Sequence, residues 1–252
     1  MELAGKVALV TGGGSGIGRA VSQAMADAGA MVCINWFAEH GQDARDHAAR
    51  LGRGLAYEAD VSDPDEVAGM VAATVGRFGS LDVLVNNAAI NRSAPLLDMA
   101  LEDWDAVLRI NLRGAFCCLQ AAGRAMRDAG RGGSIINISS IHEDVPFPTF
   151  APYAAAKGGL RMLMRNAALE LAAHHIRVNN IAPGAILTPL NAATLEDPEK
   201  MSLLKRMIPQ GRMGVPDDVA TLAVFLACDR SAYVTGSTYV VDGGMSRYAE
   251  PI

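Results

Sequence analysis

The sequence is poor in charged residues, aromatic residues and cysteine. Charged residues make up 19% of the chain and aromatic residues 5%. The net charge of −5 and the lack of a basic stripe argue against the electrostatic surface that nucleic-acid binding requires. Cys33, Cys117, Cys118 and Cys228 lack the spacing of a metal site, so we predict no metal and expect reduced, buried thiols.

Long apolar runs are also absent. No run reaches the length of about 18 residues that a membrane-spanning helix needs. The first residues lead directly into a short strand pattern without the features of a signal peptide, and we therefore expect a cytoplasmic protein. Hydrophobic residues nevertheless make up 50% of the chain, which is enough for a large core and leaves a surplus for contacts between subunits.

The N-terminal segment has the pattern of a βαβ unit. A β-branched run at Lys6–Val10 leads into a glycine-rich turn at Thr11–Gly18, then a helical pattern and a second apolar run at Met31–Trp36. Glycine lets the chain turn tightly and lets a pyrophosphate approach the amides at the helix start. The context favours a dinucleotide site over a glycine turn without a ligand.

Tyr153 and Lys157 stand four residues apart, a spacing that places both on one helix face. A phenol has a pKa near ~10 and is a poor base at neutrality. A fixed positive charge nearby lowers that pKa, so the pair is a candidate acid–base device. On spacing alone, such residues are more often simple neighbours on a helix.

Strands and helices alternate along the rest of the chain. This order predicts an α/β fold with one doubly wound parallel sheet of about seven strands and helices on both faces, in a single domain over 1–252. Ligands bind at the carboxyl ends of such strands. The long polar segment 187–212, which is interrupted by three prolines, predicts a substrate lid.

Several motifs, taken together, resemble the short-chain dehydrogenase/reductase family over nearly the whole chain. These are the turn Thr11–Gly18 (TGxxxGxG), Asn86-Asn87-Ala88-Ala89 (NNAG, with Ala89 replacing glycine), Asn111 on a helix, Ser140 before Tyr153-x-x-x-Lys157, and Pro183-Gly184 followed by Thr188. Strings such as 139–143, 177–181 and 242–245 are similar to bacterial glucose 1-dehydrogenases within that family.

The resemblance implies hydride transfer between a sugar or secondary alcohol and NAD or NADP. Tyr153 would take the hydroxyl proton, and Lys157 would lower the tyrosine pKa and hold the nicotinamide ribose. Ser140 would stabilise the substrate oxygen. Asn111, at a kink in a long helix predicted over 101–129, would hold a water; an amide bonded to backbone is the alternative.

The resemblance also implies the cofactor contacts and the assembly. The expected contacts are Gly12, Ser15, Gly16, Ile17, Gly18, Trp36, Asp60, Val61, Asn87, Ala88, Tyr153, Lys157, Pro183, Gly184, Ile186 and Thr188. A carboxylate at the end of the second strand would select NAD and a basic residue NADP. Trp36 and Phe37 occupy that place, so either cofactor is expected, with a slight preference for NAD. A homotetramer is expected, with helices near 101–129 and 153–174 between subunits and the tail 245–252 reaching a neighbour.

The substrate residues are the least defined part of this interpretation. Ser140, His142, Glu143 and Asn91 are expected to face the substrate, and His142-Glu143 favours an aldose oxidised at C1. A carbonyl reductase of a small ketone, polyol or acyl thioester is the alternative. A cofactor-binding sensor without turnover is a third hypothesis, against which the complete set of four catalytic residues counts.

Overall fold

The computed structural model describes residues 1–38, 41–189 and 197–247. Its strands all run parallel in one sheet with the order β3-β2-β1-β4-β5-β6-β7. They are β1 Val7–Val10, β2 Met31–Trp36, β3 Gly54–Glu58, β4 Val83–Asn86, β5 Gly133–Ile138, β6 Ile176–Pro183 and β7 Thr238–Val241. The doubly wound parallel sheet predicted from the sequence is confirmed.

Helices connect the strands and cover both faces of the sheet. They are α1 Gly16–Asp27, α2 Gly41–Arg50, α3 Pro64–Phe78, α4 Leu101–Leu108, α5 Ala115–Ala129, α6 Ala151–Leu171, α7 Pro198–Arg206 and α8 Pro216–Ala227. Local chemistry sets the bounds of α3, because the Asp63 carboxylate accepts from the amides of Asp65 and Glu66 at its start. Gly79, in the left-handed region with φ 87°, ends it.

The core has two layers, one on each side of the sheet. Ala8 and Val10 of β1 face the cluster that includes Val21 of α1 and Val219 of α8. Leu9 points the other way, into a cluster with α3 and α5. Because side chains alternate across a strand, a strand buried on both faces must be apolar throughout. This explains the uninterrupted hydrophobic run of β1.

The helix predicted over 101–129 is interrupted. α4 and α5 are joined by a π-helical segment, Arg109–Gly114, which contains Asn111. The predicted irregularity at Asn111 is thus a π turn, a feature common where a helix passes a functional site. Two other predictions extend beyond the described residues: the segment 187–212 contains α7 but includes 190–196, and the tail 245–252 is described only to Arg247, in a short 3-10 turn.

The cysteines have no disulfide. Cys33, Cys118 and Cys228 are buried and Cys117 is partly buried, all with free thiols. Burial raises the pKa of the Cys33 thiol to about 11, which keeps it protonated and unreactive. The prediction of buried, reduced thiols is confirmed for Cys33, Cys118 and Cys228, whereas Cys117 is only partly buried. In the described ranges, no helix is long and apolar enough to cross a bilayer.

Candidate active site

The turn between β1 and α1 leaves backbone donors available. Ser15 precedes α1 without a side-chain hydrogen bond to the helix, and the first turn of α1 has no acidic residue. The amides of Gly16, Ile17 and Gly18 therefore have no acceptor within the described residues. Unpaired amides at a helix start fit the pyrophosphate of a dinucleotide. The predicted contacts Ser15 to Gly18 thus lie at a helix start whose free amides fit the pyrophosphate of a nucleotide cofactor.

A second motif holds this turn from the side. Asn87 donates from Nδ2 to the carbonyls of Thr11 and Gly12, at 2.9 and 3.1 Å. The Thr11 hydroxyl accepts from the amides of Asn87 and Ala88, at 2.9 and 3.0 Å. Gly12 has φ +60°, and a Cβ there would lie 3.0 Å from Asn87 Nδ2. Asn87 and Ala88 therefore position the glycine-rich turn. Thr11 takes part in the same contacts, and the sequence analysis did not predict this role.

The carboxyl end of β2 differs from the prediction. The Trp36 side chain is buried, and a Cβ on Gly41 of α2 would lie 2.5 Å from its ring. The Arg45 guanidinium stacks 4.9 Å from the ring centroid. Trp36 thus packs under α2 and does not offer its ring to a ribose, whereas Phe37 is 55% exposed. The expected side-chain contact from Trp36 is not supported, because α2 covers its ring, and Phe37 is the side chain exposed at this end of β2.

Asp60 and Val61 follow β3 on the same edge of the sheet. The Asp60 carboxylate accepts from the amide and hydroxyl of Ser62, at 2.8 and 2.7 Å, and lies 3.6 Å from Arg109 Nη1. Val61 is buried against Gly114 in the π-helical segment. These contacts order the loop after β3, and the π-helical segment lies against it.

Ser140 and Tyr153 are brought together after β5. Ser140 is buried, and its side chain is hydrogen-bonded to the Tyr153 phenol. Surrounding protein atoms raise the pKa of Tyr153 to about 12, and the bond from Ser140 opposes that rise. The phenol is therefore protonated at neutral pH in the cofactor-free chain. Burial thus raises the pKa of Tyr153 where a lowering by Lys157 was expected, and the influence that opposes the rise is Ser140.

Lys157 lies one helical turn from Tyr153 and is almost completely buried. Its Nζ donates to the Ile138 carbonyl at the end of β5, at 2.8 Å, and lies 5.4 Å from the Tyr153 ring centroid. Burial lowers the pKa of Lys157 to about 8, and the charge of Glu143 opposes this. The predicted triad of Ser140, Tyr153 and Lys157 thus shares one end of the sheet.

Asn111 is placed beside this group by the π-helical segment. Its side chain is buried, its Oδ1 accepts from the Ile90 amide, and its Nδ2 donates to the Ile90 carbonyl, both at 2.9 Å. The amide therefore holds the segment after β4 in place, which is the alternative considered from the sequence. Its role in holding a water stays a prediction.

Two of the expected substrate residues behave differently from each other. The His142 ring contacts the rings of Phe147, Phe150 and Tyr153, with centroids 5.6 to 6.2 Å away. Burial lowers the pKa of His142, so the ring is neutral at physiological pH. The Glu143 side chain is only 2% exposed and accepts from Asn180 Nδ2 at 3.1 Å. The expectation that Glu143 contacts substrate is corrected, because its carboxylate points into the protein.

The remaining expected contacts follow β6 and β4. A Cβ at Gly16 would lie 3.4 Å from Thr188 Cγ2, so the segment after β6 crosses the glycine-rich turn. Gly184 at the end of β6 donates to the Val241 carbonyl, and Pro183 and Ile186 are buried beside it. Asn91 Oδ1 is buried without a hydrogen-bond partner in the described part of the chain, which leaves an acceptor for a ligand.

Sequence reasoning missed several residues that complete the site. Asn35 of β2 accepts from the Gly12 amide and donates to the Ala59 carbonyl, tying the ends of three strands. Phe147 and Phe150 form a wall with His142 beside Tyr153. Asn35 could have been found from the sequence, because it is a polar residue within an otherwise apolar strand. The contact between His142, Phe147 and Phe150 could not, because a loop brings these rings together.

The chain is similar to known proteins over nearly its whole length. A family model described as enoyl-(acyl carrier protein) reductase matches residues 12–246. The chain is 41% identical to 3beta-hydroxysteroid dehydrogenase 1 of Eggerthella lenta over 98% of this chain and 96% of that protein. It is 42% identical to an L-rhamnose 1-dehydrogenase (NAD(P)(+)) of Sphingomonas over 96% and 97% of the two chains. It is 37% identical to glucose 1-dehydrogenase 2 of Bacillus subtilis over 98% and 97%.

Solved structures agree with these relatives. A gluconate 5-dehydrogenase from Burkholderia cenocepacia in complex with NADP and tartrate superimposes with a TM-score of 0.93, at 38% identity over 98% of each chain. The resemblance to bacterial glucose 1-dehydrogenases is confirmed at the level of sequence identity. The chain belongs to the short-chain dehydrogenase/reductase family and is an NAD(P)-dependent oxidoreductase that acts on CH–OH donors.

Proposed function

We propose that this chain oxidises the C1 hydroxyl of an aldose. The observation that carries the acid–base part is the Ser140–Tyr153–Lys157 group at the end of β5. The sugar assignment is supported by the relatives, since an L-rhamnose 1-dehydrogenase and a glucose 1-dehydrogenase match over nearly the full length. We further propose a cytoplasmic homotetramer with the segment 187–212 as its lid.

In this proposal each residue acts at a defined atom. Bound NAD or NADP, held at the amides of Gly16, Ile17 and Gly18, would supply the hydride acceptor. Tyr153 in its phenolate form accepts a hydrogen bond from the substrate hydroxyl, takes that proton as the hydride leaves the carbinol carbon, and becomes the phenol. Ser140 donates to the same oxygen and orients it. Lys157, anchored on Ile138, supplies the positive charge below the phenol.

A second substrate class is favoured by the aromatic wall. His142, Phe147, Phe150 and Tyr153 form a continuous set of ring contacts next to the reacting hydroxyl. Such a wall suits an alcohol on an apolar ring system better than a free sugar, because it offers few hydrogen bonds. The 3beta-hydroxysteroid dehydrogenase relative, at 41% identity, is consistent with this second class.

One assay separates the two classes. The purified protein is tested with aldoses, polyols, alicyclic secondary alcohols and ketones, each with NAD and with NADP, and the absorbance of the reduced nicotinamide is followed. Turnover of aldoses alone supports the first class and turnover of alicyclic alcohols alone the second. No turnover with any CH–OH donor or ketone would contradict both.

A further inference from the structure

A directed chain of side-chain amides crosses three strands at the carboxyl edge of the sheet. Asn86, Asn137 and Asn180 are paired in register on β4, β5 and β6. Asn86 Nδ2 donates to Asn137 Oδ1 at 3.0 Å, and Asn137 Nδ2 donates to Asn180 Oδ1 at 2.9 Å. Asn180 Nδ2 then donates to Glu143 Oε2 at 3.1 Å. Every amide points its donor toward the carboxylate at the end of the chain.

The other oxygen of this carboxylate is unsatisfied. Glu143 Oε1 is buried and has no hydrogen-bond partner in the described part of the chain. Arg161 Nε lies 3.5 Å from it, which allows attraction but not a hydrogen bond. The stronger contact of Arg161 is with Asp144, and its side chain is 24% exposed, so water screens its charge. Arg161 therefore neutralises Glu143 only in part.

The Lys157 ammonium has more hydrogen-bond donors than the described residues provide acceptors for. Arg161 follows Lys157 by one helical turn on α6. A Cβ on Gly158, the residue after Lys157, would lie 3.8 Å from the Glu143 carbonyl oxygen, so this turn of α6 packs against Glu143. An ammonium has three donors, and the described residues show one bond, to Ile138. The nearby titratable groups are Tyr153, which is neutral, His142, which is neutral, and the Arg161–Asp144 pair, which cancels.

We propose that Glu143 is a positioning residue, whose buried carboxylate is the counter-charge that keeps Lys157 in its ammonium form beneath Tyr153. The inference rests on the proposed acid–base role of Tyr153 and Lys157. Burial alone lowers the pKa of Lys157, and the carboxylate of Glu143 works against that change. A neutral Lys157 would no longer favour the phenolate that takes the substrate proton.

The lysine content of the chain makes a direct test practical. Lys6, Lys157, Lys200 and Lys205 are its lysines, and Lys157 alone among them is buried. NMR of protein labelled with ¹³C at the lysine ε-carbons follows the ionisation of each amine, and the Lys157 signal is identified by its loss in Lys157→Met. The measurement needs neither cofactor nor turnover.

The expected result is a lower Lys157 pKa in Glu143→Gln, by about one unit or more, the shift that an adjacent opposite charge provides. Asp144→Asn is the matched control: this neighbouring carboxylate also contacts Arg161 but is 62% exposed, so the lysine pKa should not change. Glu143→Asp keeps the charge one methylene farther away and should give a smaller fall. It replaces Glu143→Gln if that variant does not fold.

An unchanged Lys157 pKa in the folded Glu143 variants would overturn the inference and leave the proposed function standing. A lower pKa in a protein without turnover on any donor would support the charge pairing and reject the proposed function instead. An equal fall of the Lys157 pKa in Asp144→Asn would also overturn the inference, because the loss of any nearby negative charge would then have the same effect.

Discussion

Tyr153 has its hydroxyl beside Ser140 and its ring centroid 5.4 Å from the Lys157 amine. Tyr153→Phe keeps the ring and its contacts with His142 and Phe150 while removing the proton. We expect turnover to fall by at least ~10²-fold, the lower range of general acid–base catalysis, with little change in cofactor affinity. Steady-state kinetics and cofactor titration measure the two effects.

Tyr233→Phe is the matched control for this experiment, because Tyr233 is fully exposed and loses the same oxygen. Its turnover should equal that of the unaltered protein. Turnover of the Tyr153→Phe variant at the unaltered level would remove Tyr153 from the mechanism.

The high pKa of Tyr153 predicts opposite pH behaviour for the two directions of the reaction. With a pKa raised to about 12, the phenol is protonated at neutrality, and the phenolate fraction grows tenfold for each pH unit below that value. Oxidation needs the deprotonated form and should accelerate above neutral pH by up to about tenfold per unit. Reduction needs the protonated form and should stay nearly constant over the same range.

This pH prediction is checked by the kcat/KM profiles of an alcohol and of its ketone under one cofactor pair. A profile for reduction that rises with pH while the profile for oxidation stays flat would contradict it. Bound cofactor adds its own charge, so the comparison uses the slopes of the two directions measured on the same enzyme.

At the scale of single elements, we predict that the end of β2 selects between NAD and NADP. Phe37 is the exposed side chain there, and a carboxylate at this place accepts from the ribose hydroxyls while a guanidinium binds a 2′-phosphate. Phe37→Arg should raise the ratio of kcat/KM for NADP to that for NAD by about tenfold or more, the factor that 1.4 kcal/mol provides. Phe37→Asp should lower the same ratio.

Gln23→Arg serves as the control for added charge, since Gln23 is exposed on α1 and bonded only to Asp27 in the described residues. Its cofactor ratio should not move. Trp36→Asp, which the sequence indicated as an NAD-selecting change, is instead expected to destabilise the fold, because it would bury a carboxylate under α2. If neither Phe37 variant changes the ratio, the ribose does not lie at the end of β2.

Elements with strong local signals were predictable from the sequence. The apolar runs at Lys6–Val10 and Met31–Trp36 correspond to β1 and β2, because β-branched residues next to glycine-rich turns mark both strands. The placement of Tyr153 and Lys157 on one turn of α6 was predictable because helix geometry fixes their spacing, whereas the inclusion of Ser140 and the expected roles depended on the resemblance. Trp36 and Glu143 were misplaced because periodicity does not tell which neighbouring element covers a polar or aromatic residue at a strand end.

At the scale of the whole molecule, apolar surface remains uncovered. Phe116 of α5 is 43% exposed, and Met162 and Leu169 of α6 are 54% and 80% exposed. An apolar groove is formed by α4, the π-helical segment, α5 and α6; it is lined by Leu108, Leu112, Phe116 and Leu163, together with Arg109 and Arg113. Such surface in one place marks an interface.

We therefore predict a homotetramer, and light scattering should give about four times the chain mass of 26.4 kDa. Phe116→Asp, which places a charge in the apolar groove, should lower that mass. Arg50→Asp, on the exposed end of α2, should not. A fully active monomer would reject the prediction.

The π-helical segment Arg109–Gly114 should make the protein sensitive to deletion of a residue within it. A residue advances an α-helix by about 100°, so removing one residue from this segment would turn α4 against α5 by that angle. The buried residues of one helix would then leave the core, either Val107 of α4 or Cys118 and Leu119 of α5. Otherwise Asn111 would lose its hydrogen bond with Ile90. We expect this stretch to accept substitutions far more readily than a deletion of a single codon.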